Sequence, residues 1–471
     1  MAAADSKIKL DKDAAGDLEK KLFYTPKSSW SGYENEQSKK IFDFAESYKK
    51  FLALAKTERL CIRALSDRLT AEGFRAVSVQ SKLKKNSKFF SIIRGKCLIA
   101  GIAGNNPSAF QIIGSHGDSP RLDLKPVPLY EDSELVLCKS HYYGGIKKYH
   151  WVNTPLALHG IVCTDKGQTE VHIGENDDEC KFIIPDLLPH LSQEQMKKEP
   201  GKIIEGEELN VITGHIPHPN KELKEKIKTA VLSALNKKYG ITEKDFITAE
   251  LSFVPAGKPC DIGLDRGLTG GYGQDDRVCA FASVEALCGL KETAHTALVL
   301  ITDKEEVGSP GNTGAESTLL PDFVHEYAPR AGVVPEQILK NSRAISADVT
   351  AAVDPTFKSV HELKNASFLG RGVSIEKYGG SRGKYSSNDA HAEYMYYMRK
   401  LADTHRIPWQ AGELGKVDLG GGGTIAMYLS RFGMDCVDAG PCMLGMHSPC
   451  EITSKADVYA AYELYKAFLA D

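Results

Sequence analysis

At 471 residues the chain exceeds what one hydrophobic core comfortably serves, so two domains are expected. Charged residues make up 26% and hydrophobic residues 42%, the balance of a soluble globular enzyme. A formal net charge of −3 gives no reason to expect nucleic acid or an anionic membrane as partner.

From the N-terminus, Met1 to Gly16 is polar and charged and lacks the apolar core of a signal peptide. The near-helical spacing of Ile41, Phe42, Phe44, Ala45, Tyr48, Phe51 and Leu52 predicts helix from about Gln37 to Gly73, in one or two pieces. Lys82, Lys84 and Lys85 read as solvated surface. Strands follow at Phe89–Ile93, Cys97–Ile102 and Phe110–Ile113, the last delivering Ser115-His116-Gly117-Asp118. From about Leu124 to Thr248 the texture changes. Short β-like runs (Leu135–Cys138, Ala157–Thr164, Glu170–Ile173) precede a lysine-rich helical stretch near Lys221–Lys238. The α/β rhythm then returns with a helix at Arg277–Leu290 and strands at Thr296–Thr302 and Ala344–Asp348. Helices at Asp389–His405 and Ala456–Ala470 complete it. The pattern predicts an α/β fold: a doubly wound mixed-sheet catalytic domain, residues 1–123 and 249–471, interrupted by an inserted β-rich domain, residues 124–248. No run approaches the roughly 18 apolar residues a bilayer requires. Eleven cysteines without a Cys-x-x-Cys pair suit buried thiols in a reducing cytoplasm.

Chemistry-bearing residues recur where apolar, strand-like runs give way to loops, the usual location of sites in open α/β sheets. His116 follows one such run, and Asp118 two residues on can accept the proton of its far nitrogen and fix its tautomer. Asp275 opens a helix, where a carboxylate either bridges two cations or merely complements the macrodipole. Asp303-Lys304-Glu305-Glu306 stands directly after Leu298-Val299-Leu300-Ile301. Adjacent glutamates there can divide the labour, one ligating metal while the other takes a proton from activated water. Asp348 and His447 close further apolar runs. Two histidines with three carboxylates suit two divalent ions, zinc, cobalt or manganese, without choosing among them.

This series, with Ser119-Pro120 after Asp118, Val307-Gly308-Ser309 after the glutamates, Ser346-Ala347 before Asp348 and Met446 before His447, resembles the motifs of the aspartyl aminopeptidase family over nearly the whole chain. The resemblance implies a two-metal aminopeptidase in which Asp275 bridges, Glu305 is the general base and Asp118 orients His116. His116 with Asp348, and Glu306 with His447, are the preferred ligand pairs. It also implies an insert that mediates dimerisation, dimers assembled into a tetrahedral dodecamer, and His190 in Ile184–Leu191 reaching a neighbouring subunit's site to stabilise negative charge. Peptides with N-terminal Asp or Glu are the implied substrates. Lys377, and Lys384 beyond it, are the candidate cations of the side-chain pocket, and Gly423 belongs to a glycine-threonine element beside it. One departure stands out: the family commonly has a histidine where this chain has Ala351, which puts strict acidic specificity in doubt. A metallo-exopeptidase of broader or neutral specificity, a small-molecule deacylase, and a non-enzymatic metal-binding cage are the alternatives.

Overall fold

The apolar runs assemble into a nine-stranded mixed sheet in the computed structural model, which describes residues 12–31, 35–77 and 83–471. Met1 to Asp11 and Lys82 lie outside the described residues. At the sheet's centre, Asn106–His116 lies between His295–Thr302 and Arg343–Ser346 and runs parallel to both. Successive side chains of a strand point to opposite faces. Ile113, Val299 and Ile345 therefore pack with the helices Asn35–Leu54, Glu58–Ala71, Gln274–Cys288, Ala392–Thr404 and Lys455–Ala470. Ile112, Leu298 and Ala344 pack with Leu319–Ala331 and Pro335–Asn341 on the other side. Burial on both faces is why these strands read as continuous apolar runs. The sheet is mixed because Cys97–Ile102 runs antiparallel to His295–Thr302, and Val373–Glu376 antiparallel to Asp435–Gly440.

The helical stretch near the N-terminus is two helices. The break falls at residues 55–57, where the Thr57 hydroxyl accepts the Leu60 N–H and caps the second helix.

A six-stranded antiparallel sheet is built from Arg121–Asp132, Leu135–Tyr143, Leu156–Thr164, Gly167–Ile173, Asn210–Gly214 and Ala249–Pro255. With the helix Lys226–Tyr239 it encloses its own apolar core around Leu158, Val171, Val211 and Phe253. Leu135–Tyr143 alternates buried and half-buried positions along much of its length, so its apolar signal is weaker than that of the central strands. A smaller sheet joins Cys260–Ile262, Leu268–Gly271, Glu451–Ser454, Cys442–Leu444 and Thr350–Ala351. Its strands are two to four residues long and carry Gly and Thr, too short for a periodicity to register. No helix of the described residues is long and apolar enough to cross a membrane, and all eleven cysteines are free.

Candidate active site

Three adjacent parallel strands end at the same edge of the large sheet and aim their following residues into one cleft of about 600 Å³. His116 is the last residue of the central strand; Glu305 and Glu306 follow one neighbour and Asp348 the other. Asp275 arrives from the start of the helix Gln274–Cys288, where Asp275 and Asp276 themselves have non-helical backbone angles. His447 enters from the loop after Cys442–Leu444 in a left-handed conformation, φ 64°.

Asp275 stands between the two histidines. Its Oδ1 lies 3.3 Å from His116 Nε2 and its Oδ2 lies 3.1 Å from His447 Nε2. Asp348 Oδ1 is 3.8 Å and Glu305 Oε2 3.9 Å from His116 Nε2, and Glu306 Oε2 is 3.2 Å from His447 Nε2. Both histidines are oriented from behind. His116 Nδ1 lies 3.2 Å from both the carbonyl and Oδ1 of Asp118, and His447 Nδ1 donates to the Gly145 carbonyl at 2.8 Å. Each Nε2 is thereby turned toward the acids of the cluster, the orientation a metal ligand needs.

The arrangement fits divalent cations. One ligand atom from each of His116, Glu305 and Asp348 lies within 4.8 Å of the others, and the same holds for His116, Asp275 and Glu306. His116 Nε2 and Glu306 Oε1 are buried without a hydrogen-bond partner. Four carboxylates face two imidazoles, and the excess of like charge registers in their protonation. Burial, reinforced by Asp348, Asp275 and Asp118, raises Glu305 to about 8, with His116 opposing. Burial and Asp275 push Glu306 well above its ordinary value. Burial alone would lower His447, but its contacts with Asp275 and Glu306 outweigh this and raise it to about 10. Such a cluster is short of positive charge.

Asp118 does more than orient a histidine. Its carboxylate accepts the backbone N–H groups of Glu305 and Glu306, each at 3.2 Å, and the Tyr143 hydroxyl at 2.8 Å. Burial favours its neutral form, yet His116, Tyr143 and Arg121 hold its pKa below the ordinary value.

Glu451, which the sequence reading passed over, plays the matching part on the other side. It accepts the backbone N–H groups of Gln274, Asp275 and His447 at 2.6, 3.2 and 2.7 Å. Its only sequence signal is an acid four residues beyond His447, inside a strand that is otherwise uncharged. Asp303 turns away from the cleft and accepts the Thr313 hydroxyl at 2.9 Å, so of the charged run only the two glutamates line it.

Gly423 lines the same cleft. Lys377 and Lys384 do not: both turn to Asp389, at 3.8 and 2.9 Å. The residue that lines the cleft at that point is Glu376, immediately before Lys377. His190 sits in an exposed turn between the strands Gly167–Ile173 and Asn210–Gly214 and is not among the residues lining the cleft.

The motif order and this geometry coincide with a known family. The family model described as aminopeptidase I zinc metalloprotease (M18) matches residues 51–469. The chain belongs to the M18 aminopeptidase family. A probable M18 family aminopeptidase 1 of Clostridium acetobutylicum is 44% identical over 454 residues, covering 94% of this chain and 98% of the relative. The crystal structure of an M18 aminopeptidase from Thermotoga maritima matches with a TM-score of 0.91 at 42% identity, covering 95% of this chain and 99% of that one. The S. cerevisiae mApe1 dodecamer shares the fold at 22% identity and a TM-score of 0.73, over 90% of this chain and 96% of that one. The resemblance read from the motifs is borne out, and the chain is a metal-dependent aminopeptidase of a zinc metalloprotease family.

Proposed function

We propose that the cleft holds two divalent ions and removes single residues from peptide N-termini. The observation that carries this reading is Asp275, whose two oxygens face two histidines from opposite sides. His116 with Asp348 would hold one ion, Glu306 with His447 the other, and Asp275 would span both. Zinc suits this mixture of imidazole and carboxylate, as do cobalt and manganese. When bound, such ions polarise a carbonyl and lower the pKa of water.

The two glutamates differ in access. The Glu305 side chain is 18% exposed and the Glu306 side chain 3%. Glu305, open to the cleft, takes the proton of the attacking water at its carboxylate and hands it to the leaving amine. Asp118 and Glu451 keep both glutamates, Asp275 and His447 in position through their backbones. The acidic preference implied by the resemblance needs a cation in the side-chain pocket. No Lys or Arg is among the described residues lining the cleft, which favours a specificity other than Asp or Glu.

The expected insert, residues 124–248, supplies most of the six-stranded sheet with its separate core, but that unit extends past both bounds, taking in Arg121–Asp132 from its start and the strand Ala249–Pro255. Leu187, Leu188 and Leu191 are 51%, 49% and 70% exposed around His190, an apolar edge suited to burial against another copy. In a homodimer, and in a dodecamer of the kind named for the S. cerevisiae relative, His190 would enter the neighbouring copy's cleft and stabilise developing negative charge. A cytoplasmic setting agrees with eleven free thiols.

The test is hydrolysis of leucyl p-nitroanilide and of its N-acetylated analogue by metal-loaded and chelated protein. Metal-dependent cleavage of the free-amine substrate alone is expected. Cleavage of the acetylated substrate would point to a deacylase, and cleavage of neither to a metal-binding cage.

A further inference from the structure

We propose that the part of the cleft lined by Glu376 is the side-chain pocket of this aminopeptidase and selects a cationic N-terminal residue, Lys or Arg. The proposal rests on the aminopeptidase reading and names its substrate class.

Glu376 ends the strand Val373–Glu376 and is 8% exposed, yet its Oε1 has no hydrogen-bond partner. It lines the cleft beside Asp348 and also a recess of about 20 Å³ behind it, shared with Thr350, Ser374, Thr424 and Asp438 and too small for a side chain. Asp438 is its direct cross-strand partner in the antiparallel pairing of Val373–Glu376 with Asp435–Gly440. Like charges directly opposite one another destabilise a sheet. The Thr424 hydroxyl answers Asp438 at 2.6 Å, whereas no Lys or Arg lines the cleft or the recess among the described residues. The neighbouring Lys377 points the other way, to Asp389.

Glu376 is therefore a buried carboxylate with no cation of this chain beside it among the described residues and with one oxygen, Oε1, unpartnered, the Thr350 hydroxyl alone favouring its charged form. The four carboxylates at the metal end are matched in charge by two divalent ions, so Glu376 is left over. An ammonium or guanidinium group entering from the cleft would supply a charge-assisted hydrogen bond to Oε1. An aspartyl or glutamyl side chain would instead meet the Glu376 carboxylate, with Asp438 behind it, a repulsion that discriminates against it. An aliphatic side chain would fill the space but leave Oε1 unpaired.

Norleucine matches the lysine stem without its charge, so lysyl and norleucyl p-nitroanilides isolate the effect. In metal-loaded protein, kcat/KM for the lysyl substrate should exceed the norleucyl value by at least about ten-fold, the scale set by one buried polar contact. Glu376→Gln should bring the ratio close to unity, and Glu376→Lys should move glutamyl p-nitroanilide ahead of the lysyl one. Calorimetry of wild-type metal-loaded protein with L-lysine amide and L-norleucine amide should show the same preference in Kd without relying on a variant. A flat lysyl-to-norleucyl ratio, a wild type that prefers aspartyl or glutamyl substrates, or a ratio that survives Glu376→Gln overturns the pocket. Metal-dependent norleucyl hydrolysis alongside any of these leaves the aminopeptidase reading standing. Absence of all hydrolysis removes both.

Discussion

At one end of the cleft, carboxylates interleave with histidines: Asp275 between His116 and His447, Glu306 against His447, Asp348 against His116. At the other end Glu376 lies opposite Asp438 with no basic side chain from this chain lining the space. Both ends are buried and both are acidic. They differ in what stands behind them. The first is braced by Asp118 and Glu451, which together accept five backbone N–H groups of the cluster and its flanks. The second has only hydroxyls, those of Thr424 and Ser346 at Asp438 and of Thr350 at Glu376, and leaves Glu376 Oε1 without a hydrogen-bond partner. A braced acid cluster with imidazoles is arranged for fixed cations, while an unbraced one leaves its acceptor for a ligand that comes and goes.

The largest effect expected from this contrast is on Glu305, the acid of the first end left open to the cleft. Glu305→Gln should lower kcat by about 10²–10⁴-fold, the usual worth of a general base, while metal content by elemental analysis stays that of wild type. Full activity in that variant would remove Glu305 from proton transfer.

The next largest effect concerns pH at the second end. Burial first, then Asp438, Asp348 and Glu413, raise Glu376 from its ordinary 4.5 to about 7, with the nearby Thr350 opposing. The folded protein thus keeps a proton that the unfolded chain releases near 4.5. Stability from this group is present at low pH and is lost as pH climbs through about 7. In chelated protein, Glu376→Gln should therefore gain stability relative to wild type between about pH 4.5 and pH 7, by about 3 kcal/mol at most. Urea unfolding of both proteins across that window measures it, and parallel curves would show Glu376 to be solvated.

The smallest of the three effects is expected on the bracing. Asp118→Asn keeps the size of the side chain but weakens its hold on His116 and on the backbone of Glu305 and Glu306. Metal affinity should fall about 10–100-fold, read by competition with a chromogenic chelator. Unchanged affinity would mean that the first end is held together by packing alone, and the contrast with the second would narrow.

The candidate metal end was legible in the sequence because all its expected ligands but Asp275 follow apolar runs, and runs buried on both faces are what one-dimensional patterning detects best. His116, Glu305, Glu306 and Asp348 are read this way, and the central strands fall within a few residues of expectation. Glu451 and Glu376 were not, for a shared reason. Each ends or begins a four-residue strand, and whether such a residue faces a cleft depends on which way the strand is turned, a parity that one residue reverses. Lys377 looked like the pocket's cation and Glu376 like its neighbour; the strand turns Glu376 toward the cleft, while Lys377 pairs with Asp389.

By itself, then, the sequence determined the α/β class, the order and identity of the candidate ligands and the family to which they belong, since these follow from local hydrophobic pattern and motif order. Only the tertiary structure decided which acids face one another, which are braced and which are left without a partner. Those depend on strand register and on chain crossings hundreds of residues apart, as between Gln274 and Glu451, where no local pattern carries the information.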